Sequence, residues 1–319
     1  DMEKVLFLDS PMKEKPYGSM RIQEKFGFGP MDKKIGEYWA ISAHDNGLSK
    51  IKNGKYKGET LKDVYLNHRE LFANDPHDKF PLLVKINEIQ EPCSVQVHPD
   101  DAYARKHEKD YGKAEFCLWL DAEEGTRIIR GHSAKTKEEF RKAIEEKAWD
   151  TLLIRKPVHA NEFVYTPAGT IHGIEGKLMM AEVQQSSDVT YRIYDYDRKG
   201  PDGKGRELHT ELAKDAIDYT LYPDYRTHYK AHTNATVELA ACKYFTTNLL
   251  DVDTIMVRDF SELDSFVVYI CMEGKASIRD NKGNEIYIHQ GQTVLIPADT
   301  DVVTISPVPG AKFMETYIG

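Results

Sequence analysis

The sequence predicts a mainly β protein with a few helices, organised as two β-barrels of which the first holds a metal or another ligand. Two observations predict this fold. Residues 94–98 alternate strictly between polar and apolar side chains, which is typical of a strand with one polar and one buried face. Residues 162–172 and 292–303 each run from an apolar strand into a Pro-Ala turn, which indicates an internal repeat.

The alternating strand places Ser94, Gln96 and His98 on one face and Val95 and Val97 on the other. A row of hydroxyl, amide and imidazole groups suits a barrel interior that binds a ligand better than one filled by packing. The second Pro-Ala segment has valine where the first has a histidine, so we expect one working barrel and one structural barrel.

The remaining elements follow from hydrophobic periodicity and turn residues. Strands are expected at residues 35–44, 80–98, 114–120, 162–166, 171–174, 178–185, 190–194, 266–270 and 293–297, with mostly β structure from 236 onward. Helices are expected at residues 59–74, 99–108, 136–153 and 210–219, and a glycine-rich loop at 198–206. In the third helix, Thr136 and Glu139 have the spacing of a capping box.

Length and composition bound the function. The chain has 319 residues, 40% of them hydrophobic, and no apolar run near the roughly 20 residues that span a bilayer. Its net charge of -9 argues against a nucleic-acid surface, which needs clustered basic residues. We therefore expect neither a nucleic-acid nor a membrane partner. The composition shift places a boundary near residue 233, with a catalytic domain at 1–232 and a smaller β domain at 233–319.

The cysteines and the first residues predict the compartment. The four cysteines are far apart with no C-x-x-C pair, which favours reduced core thiols over disulfides. Residues 1–8 lack the basic start and long apolar core of a signal peptide. These features predict a cytoplasmic protein.

His98, Glu115 and His172 belong to three separate strands or strand ends. Two imidazoles and one carboxylate form a first-row metal site that leaves positions open for water or substrate, and Gln96 can add a neutral oxygen ligand. From spacing alone, each histidine could equally be a hydrogen-bonded structural residue, and Glu115 a salt-bridged strand residue.

Six motifs together change this balance. They are Phe80-Pro-Leu-Leu-Val-Lys, Ser94-Val-Gln-Val-His-Pro-Asp-Asp, Lys113-Ala-Glu, Pro167-Ala-Gly-Thr-Ile-His, Gln184-Gln-Ser-Ser-Asp and Thr190-Tyr-Arg. In order and spacing this set resembles the type I mannose-6-phosphate isomerases of the cupin superfamily, in the compact bacterial form that lacks a large helical insertion. The likeness covers residues 17–209, and it differs from the usual pattern in having Phe116-Cys117 after the Lys-x-Glu motif.

The resemblance implies two cupin jelly-roll barrels and a zinc enzyme, with one Zn²⁺ per chain, that interconverts mannose 6-phosphate and fructose 6-phosphate. It implies zinc ligation by Gln96, His98, Glu115 and His172. It also implies Arg192 in the catalytic pocket and Ser94 and Lys113 near the sugar phosphate. The C-terminal barrel keeps no such ligand set and is expected to serve packing, and the chain is expected to be a monomer or a weak homo-oligomer.

The chemistry of the reaction agrees with these residue types. Moving a proton between neighbouring carbons of a sugar builds negative charge on oxygen, which a metal and the fixed guanidinium of Arg192 can stabilise. Lys113 could hold the phosphate or shuttle protons. The base could be hydroxide on the zinc, His44 or Glu182.

Three other interpretations remain open at the level of sequence. Arg192 could form a structural ion pair with an aspartate, for which the sequence offers Asp188, Asp195 and Asp197. The histidine and carboxylate set also describes non-haem iron oxygenases, although Gln96 would occupy one of their open positions. A non-catalytic sugar-phosphate sensor would keep the pocket without the chemistry.

Overall fold

The structure is a computed structural model that describes residues 5–220 and 225–318. Residues 1–4, which begin the segment used above to predict the compartment, lie outside this description, as do residues 221–224 and 319. The described chain is mainly β with a few helices, which confirms the predicted fold class. None of its helices is long and apolar enough to cross a bilayer.

The strands of the first half include those that carry the candidate ligands. In chain order they are β1 (Leu6–Asp9), β2 (Met12–Ser19), β3 (Ile35–Ser42), β4 (Lys50–Ile51), β5 (Leu82–Ile89), β6 (Cys93–Val97), β7 (Glu115–Ala122), β8 (Arg127–His132), β9 (Leu153–Pro157) and β10 (Phe163–Thr166). The predicted strand at 80–98 is thus two strands, β5 and β6, separated by a turn at 90–92.

The second half continues with β11 (His172–Glu175), β12 (Leu178–Gln185), β13 (Tyr191–Tyr194), β14 (Thr236–Ala241), β15 (Thr246–Val252), β16 (Met256–Asp259), β17 (Val267–Asp280), β18 (Glu285–His289), β19 (Thr293–Ile296) and β20 (Val302–Tyr317). The predicted strands at 178–185 and 190–194 therefore lie within a residue of their observed bounds.

The helices are α1 (Arg21–Phe26), α2 (Leu61–Asn67), a 3-10 helix at Arg69–Phe72, α3 (Asp101–His107), α4 (Lys137–Glu145), α5 (Trp149–Leu152) and α6 (Thr210–Ala216). The prediction of one helix over 136–153 is wrong. It begins as expected, with Thr136 accepting a hydrogen bond from the Glu139 amide, but Lys147 adopts φ 52°, which a continuing right-handed helix cannot include.

The chain divides into two compact units. The first consists of residues 1–16, 20–86 and 229–319, and the second of residues 17–19 and 87–228. The strand β5 leaves the first unit at Ile86, and its last residues belong to the second. The division into domains at residues 1–232 and 233–319 stays a prediction.

The second unit is a sandwich of two antiparallel sheets. The sheet β13-β6-β11-β8-β9, here called the β6 sheet, faces the strands β10-β7-β12 of a six-stranded sheet, here called the β7 sheet. Between them lies an apolar cluster that includes Cys117 and Trp119 from β7, Met180 from β12 and Ile174 from β11. The outer face of the β6 sheet, with Val95 and Val97, packs against α4, α5 and α6. The predicted alternation of residues 94–98 is therefore confirmed.

The first unit contains a sheet with the strand order β14-β15-β20-β17-β19-β1-β4, to which β16 and β18 add through β20 and β17. Its core is apolar and includes Val267, Tyr269 and Phe313. The turn Pro297–Thr300 closes with a hydrogen bond from Thr300 to Pro297 (3.0 Å), as the turn Pro167–Thr170 of the second unit does at 3.3 Å. Both predicted repeat segments thus have the same local strand-turn design.

Candidate metal centre

Three ligand-type side chains meet inside the second unit. Nε2 of His172 lies 3.0 Å from Oε1 of Glu115, and Nε2 of His98 lies 3.6 Å from Oε2 of the same carboxylate. His98 follows β6 directly, Glu115 begins β7 and His172 begins β11, so the group bridges both sheets. The ligand atoms all lie within 4.8 Å of one another.

The turn before His172 helps to bring it beside His98. Gly169 adopts φ 86° at the third position of the Pro167–Thr170 turn, a conformation that type II turns require and that glycine adopts without strain. Its amide donates a hydrogen bond to the carbonyl of His98 (2.8 Å). The Pro-Ala-Gly-Thr sequence therefore fixes the start of β11 against the end of β6.

Backbone carbonyls set the orientation of both imidazoles. Nδ1 of His98 lies 2.9 Å from the carbonyl of Val189, and Nδ1 of His172 lies 2.9 Å from the carbonyl of Thr170. A carbonyl can only accept, so each Nδ1 carries the proton and donates it. Both Nε2 atoms therefore direct a lone pair toward Glu115.

Burial makes this arrangement costly without a cation. Burial, together with the charge of Lys113, lowers the pKa of His98 to about 3. The pKa of Glu115 lies well below its usual range although burial acts to raise it, so the group is a carboxylate at neutral pH. At neutral pH a buried carboxylate thus faces the unprotonated nitrogen of His98, and a positive ion between them would relieve the contact.

The donor set fits a zinc-type ion. Tetrahedral ligands at the usual 2.0–2.1 Å from zinc are separated from each other by about 3.3 Å. The observed separations of 3.0 and 3.6 Å lie on either side of this value. Second contacts from each metal-ligating histidine to a backbone carbonyl are also the usual support of such sites.

Strand register extends the polar row across the β6 sheet. Gln96 on β6 pairs directly with His172 on one side and with Arg192 of β13 on the other. Directly paired residues place their side chains on the same face. His172 also pairs with Arg130 of β8, so four polar side chains cross the sheet in one line.

Gln96 is oriented by its neighbour on the same face. Its Nε2 donates to the hydroxyl and the carbonyl of Ser94, both at 3.1 Å. This places the amide nitrogen on the Ser94 side and leaves Oε1 as the acceptor end of the side chain. Ser94, buried at 3% exposure, thus acts on the row through Gln96.

Arg192 has backbone partners rather than an acidic one. Its Nε donates to the carbonyl of Glu207 (3.2 Å). Within residues 5–220 and 225–318, no carboxylate lies within ion-pair distance of its guanidinium, and Asp195 is paired instead with Arg198 and Arg206. Burial, aided by the charge of Arg206, lowers the pKa of Arg192. The described structure therefore does not support the alternative of a structural ion pair.

A second group of polar side chains adjoins the first. Glu182 of β12 pairs with Cys117 of β7, and the ligand atoms of Glu115, Cys117 and Glu182 lie within 4.8 Å of one another. Asn87 donates to Glu182 (3.1 Å), and the Oδ1 of Asn87 is buried with no hydrogen-bond partner among the described residues. Burial and the nearby carboxylates raise the pKa of the Cys117 thiol, which keeps it protonated.

Two further candidates differ in placement. Lys113 is buried at 6% exposure just before β7, and its charge acts on His98. His44 belongs to the first unit, where its Nδ1 accepts a hydrogen bond from the Asn46 amide (3.1 Å). The second unit thus holds six sequence-predicted ligand and substrate residues together with Arg192.

Sequence reasoning missed Asn87, Arg130 and the strand β8. Arg130 donates to the carbonyl of Tyr165 (2.9 Å) and stacks on Tyr225 (3.8 Å). The β-branched pair Ile128-Ile129, shortly after a turn at Gly125, could have indicated that strand.

Two models of one protein family match this chain. The family model "Phosphomannose isomerase type I, catalytic domain" matches residues 5–117, and "Mannose-6-phosphate isomerase, cupin domain" matches residues 235–308. The chain is 50% identical over 216 residues to mannose-6-phosphate isomerase of Streptococcus mutans, covering 68% of each chain. It is 38% identical over 296 residues to mannose-6-phosphate isomerase ManA of Bacillus subtilis, covering 92% of each chain.

Solved structures agree. The crystal structure of mannose 6-phosphate isomerase from Bacillus subtilis superposes with a TM-score of 0.89 at 31% identity, covering 99% of this chain and 100% of that one. A putative mannosephosphate isomerase from Archaeoglobus fulgidus superposes with a TM-score of 0.76 at 22% identity, over 99% of each chain, which supports the fold alone. These likenesses confirm the resemblance drawn from the six motifs.

Proposed function

Because the chain belongs to the type I phosphomannose isomerase family, we propose that its second unit carries out the family's reaction at the cluster of His98, Glu115 and His172. The enzyme is an aldose-ketose isomerase that interconverts D-mannose 6-phosphate and D-fructose 6-phosphate. The observation that carries the site assignment is the buried carboxylate of Glu115 facing two imidazole Nε2 atoms.

The proposed cofactor is one Zn²⁺ held by His98, Glu115, His172 and Oε1 of Gln96. The nitrogen and oxygen donors and their spacing support this set. The ion would supply Lewis acidity that polarises the sugar oxygens. Ser94 supports the set by binding the amide nitrogen of Gln96, so that the amide oxygen is the end left for coordination.

Arg192 is proposed to stabilise the negative charge that develops on the sugar oxygens. It pairs with Gln96 across the sheet, and the described residues offer it no neutralising carboxylate within ion-pair distance. A guanidinium held by backbone contacts needs no reorganisation as charge develops, which is the basis of electrostatic catalysis. The fixed planar donors also distinguish this residue from a lysine.

Proton transfer is assigned to Glu182 in this proposal, and phosphate binding to Lys113. Glu182 lies beside Glu115 and Cys117 in the same interior, whereas His44 belongs to the other compact unit. Asn87, which donates to Glu182, would orient its carboxylate. Lys113 supplies a buried cation close enough to act on His98, so a phosphate there would meet a charge of opposite sign.

We also propose a compartment, an oligomeric state and a role for the C-terminal domain. We place it in the cytoplasm as a monomer or weak homo-oligomer, with residues 233–319 as a supporting cupin domain. The family match over residues 235–308 supports the last point. Among the described residues, both groups of potential metal ligands lie in the second unit.

A coupled assay on mannose 6-phosphate, run with metal analysis, tests the proposal. We expect activity that a chelator removes and that Zn²⁺ restores, with about one metal ion per chain. Full turnover by protein shown to be metal-free would refute the metal assignment. Oxygen uptake without isomerisation would favour the iron oxygenase interpretation, and sugar-phosphate binding without turnover would favour the sensor.

A further inference from the structure

The loop after β13 returns to the strand from which it starts. It leaves at Asp195, passes through the glycine-rich residues 199–205 and comes back at Glu207 and His209. The returning segment contacts Arg192 at three points. The amide of Arg192 donates to Nδ1 of His209 (3.1 Å), its carbonyl accepts from the amide of His209 (2.7 Å), and its Nε donates to the carbonyl of Glu207 (3.2 Å).

These contacts determine how Arg192 meets Gln96. Since both backbone groups of Arg192 bond to His209, they are not used in the ladder with β6. The pair of Arg192 and Gln96 is therefore of the non-hydrogen-bonded type, in which side chains approach most closely. The returning segment thus restrains the positions of both the backbone and the side chain of Arg192.

A single carboxylate closes the two ends of this loop. Asp195, 7% exposed, accepts from Nε and Nη2 of Arg206 (3.1 and 2.9 Å) and from Nη2 of Arg198 (2.5 Å). Arg198 also donates to the carbonyl of Pro92 (2.5 Å), next to the start of β6. Burial would raise the pKa of Asp195, but the two guanidinium groups outweigh it and lower that pKa, so the carboxylate is charged at neutral pH.

The contacts of Asp195 hold the two ends of the loop, whereas the loop tip is held by its own hydrogen bond. Arg206 immediately precedes Glu207, whose carbonyl holds the side chain of Arg192, so fixing Arg206 fixes that carbonyl. The tip closes on itself through a hydrogen bond from Gly200 to Lys204 (2.8 Å). Bidentate pairing of a guanidinium with a carboxylate gives directional as well as energetic restraint.

From this geometry we propose that Asp195 and Arg206 are positioning residues for Arg192, which they hold at the reacting sugar through the 207–209 segment. The inference rests on the proposed function, because it assumes that Arg192 acts on the substrate. Asp195 and Arg206 do not belong to the group of His98, Glu115 and His172, and they do not lie on β6, β7 or β11. Misplacing a catalytic group by about 1 Å can lower the rate by up to about 100-fold, so loss of the restraint on Arg192 should lower kcat measurably.

A double-mutant cycle tests this proposal. We expect Asp195→Asn to lower kcat roughly 10–100-fold with a small change in KM. In an Arg192→Ala background, the same substitution should change kcat by less than about 3-fold, because no guanidinium is left to position. Arg206→Gln, at a more exposed residue, should reproduce both results if Asp195→Asn fails to fold.

Two controls separate positioning from general stability. Arg155→Gln breaks a comparable partly buried pair with Glu175 (2.7 Å), and Lys204→Ala alters only the loop tip. We expect the first to lower the melting temperature with kcat unchanged, and the second to change neither.

The outcomes also distinguish this proposal from the one on which it rests. If Arg192→Ala lowers kcat but Asp195→Asn lowers it by the same factor in both backgrounds, the positioning role is refuted and the role of Arg192 stands. An unchanged kcat in Arg192→Ala would refute both.

Discussion

Each compact unit buries a glutamate, and the two differ in what surrounds the carboxylate. Glu315 of β20, at 0% exposure, accepts hydrogen bonds from Arg258 (2.8 and 2.9 Å), Tyr269 (2.6 Å) and Asn248 (3.0 Å). Every one of these partners is a donor. The charge is thus compensated within the protein, as a structural buried ion pair must be.

Glu115 is buried to a similar degree, at 5% exposure, but it faces two imidazole Nε2 atoms. Their Nδ1 protons are already donated to backbone carbonyls. Burial of a carboxylate therefore does not indicate its role, whereas the direction of the hydrogen bonds around it does. Glu315 completes a closed network, whereas Glu115 faces two imidazoles that donate elsewhere, which suits the metal ligand that we propose it to be.

Neutralising each carboxylate in turn tests whether Glu115 and Glu315 have different roles. We expect Glu115→Gln to lower metal affinity and kcat each by more than ~100-fold, because loss of a ligand exceeds the 10–100-fold effect of losing a supporting contact. Metal content after dialysis and the isomerase assay measure both. Glu315→Gln should retain one metal per chain, and metal loss in that variant would remove the distinction.

The two histidines extend the same test. His98→Ala and His172→Ala should each lose metal, because each removes one of the nitrogen donors beside Glu115. The controls His68→Ala and His232→Ala remove histidines outside the cluster and should retain it. Equal metal loss in all four variants would show that the cluster is wrongly assigned.

In the first unit, a substitution at the ion pair of Arg258 and Glu315 should lower stability and not activity. Arg258→Ala leaves the charge of Glu315 buried without its main partner, so we expect the free energy of unfolding to fall by about 3–5 kcal/mol. Denaturant unfolding followed by fluorescence measures this loss. The kcat of the folded fraction should be unchanged, and a loss of kcat matching the loss of stability would contradict the separation.

Arg192 is the counterpart of Arg258 in the second unit, but the described residues place no carboxylate within ion-pair distance of it. We expect Arg192→Ala to lower kcat by about 10²–10³ with little change in KM, and Arg192→Lys to restore little of it. The melting temperature should change little, since no carboxylate loses an ion-pair partner. A raised KM with kcat intact would assign Arg192 to the phosphate instead.

The most gradual expected effect is the dependence of stability on pH. The pKa of His98 is lowered to about 3, so the unfolded chain binds more protons than the folded one below the ordinary value of 6.5. Stability of the metal-free protein should therefore be full above pH 6.5 and fall by roughly 1 kcal/mol per pH unit below it. Urea unfolding at several pH values measures the slope, and an equal slope in His98→Asn would contradict this assignment.

Local pattern predicted much of the fold and of the site. The alternation in residues 94–98 needs only the two-residue period of a strand, so the polar face of Gln96 and the apolar face of Val95 could be predicted. The family motifs supplied His172 and Arg192, whose places beside Gln96 depend on strand register between distant segments. No short-range pattern contains that register.

The misses have physical causes as well. The break at Lys147 requires a non-glycine residue in the left-handed region, which propensity gives no reason to expect. The pairing of β1 with β19 was not predicted either, because it joins strands that lie almost the whole chain apart. Asn87 matters only through its bond to Glu182, 95 residues away.

The carbonyls of Val189 and Thr170 that orient the two imidazoles have an implication for sequence drift. A main-chain oxygen is present whatever side chain the residue bears, so a substitution at Val189 or Thr170 leaves the acceptor of these hydrogen bonds in place. We expect a saturation library at Thr170 to retain metal for most replacements other than proline or glycine. Natural selection would then constrain the length of the turns that place these carbonyls, and not the identity of the residues that carry them.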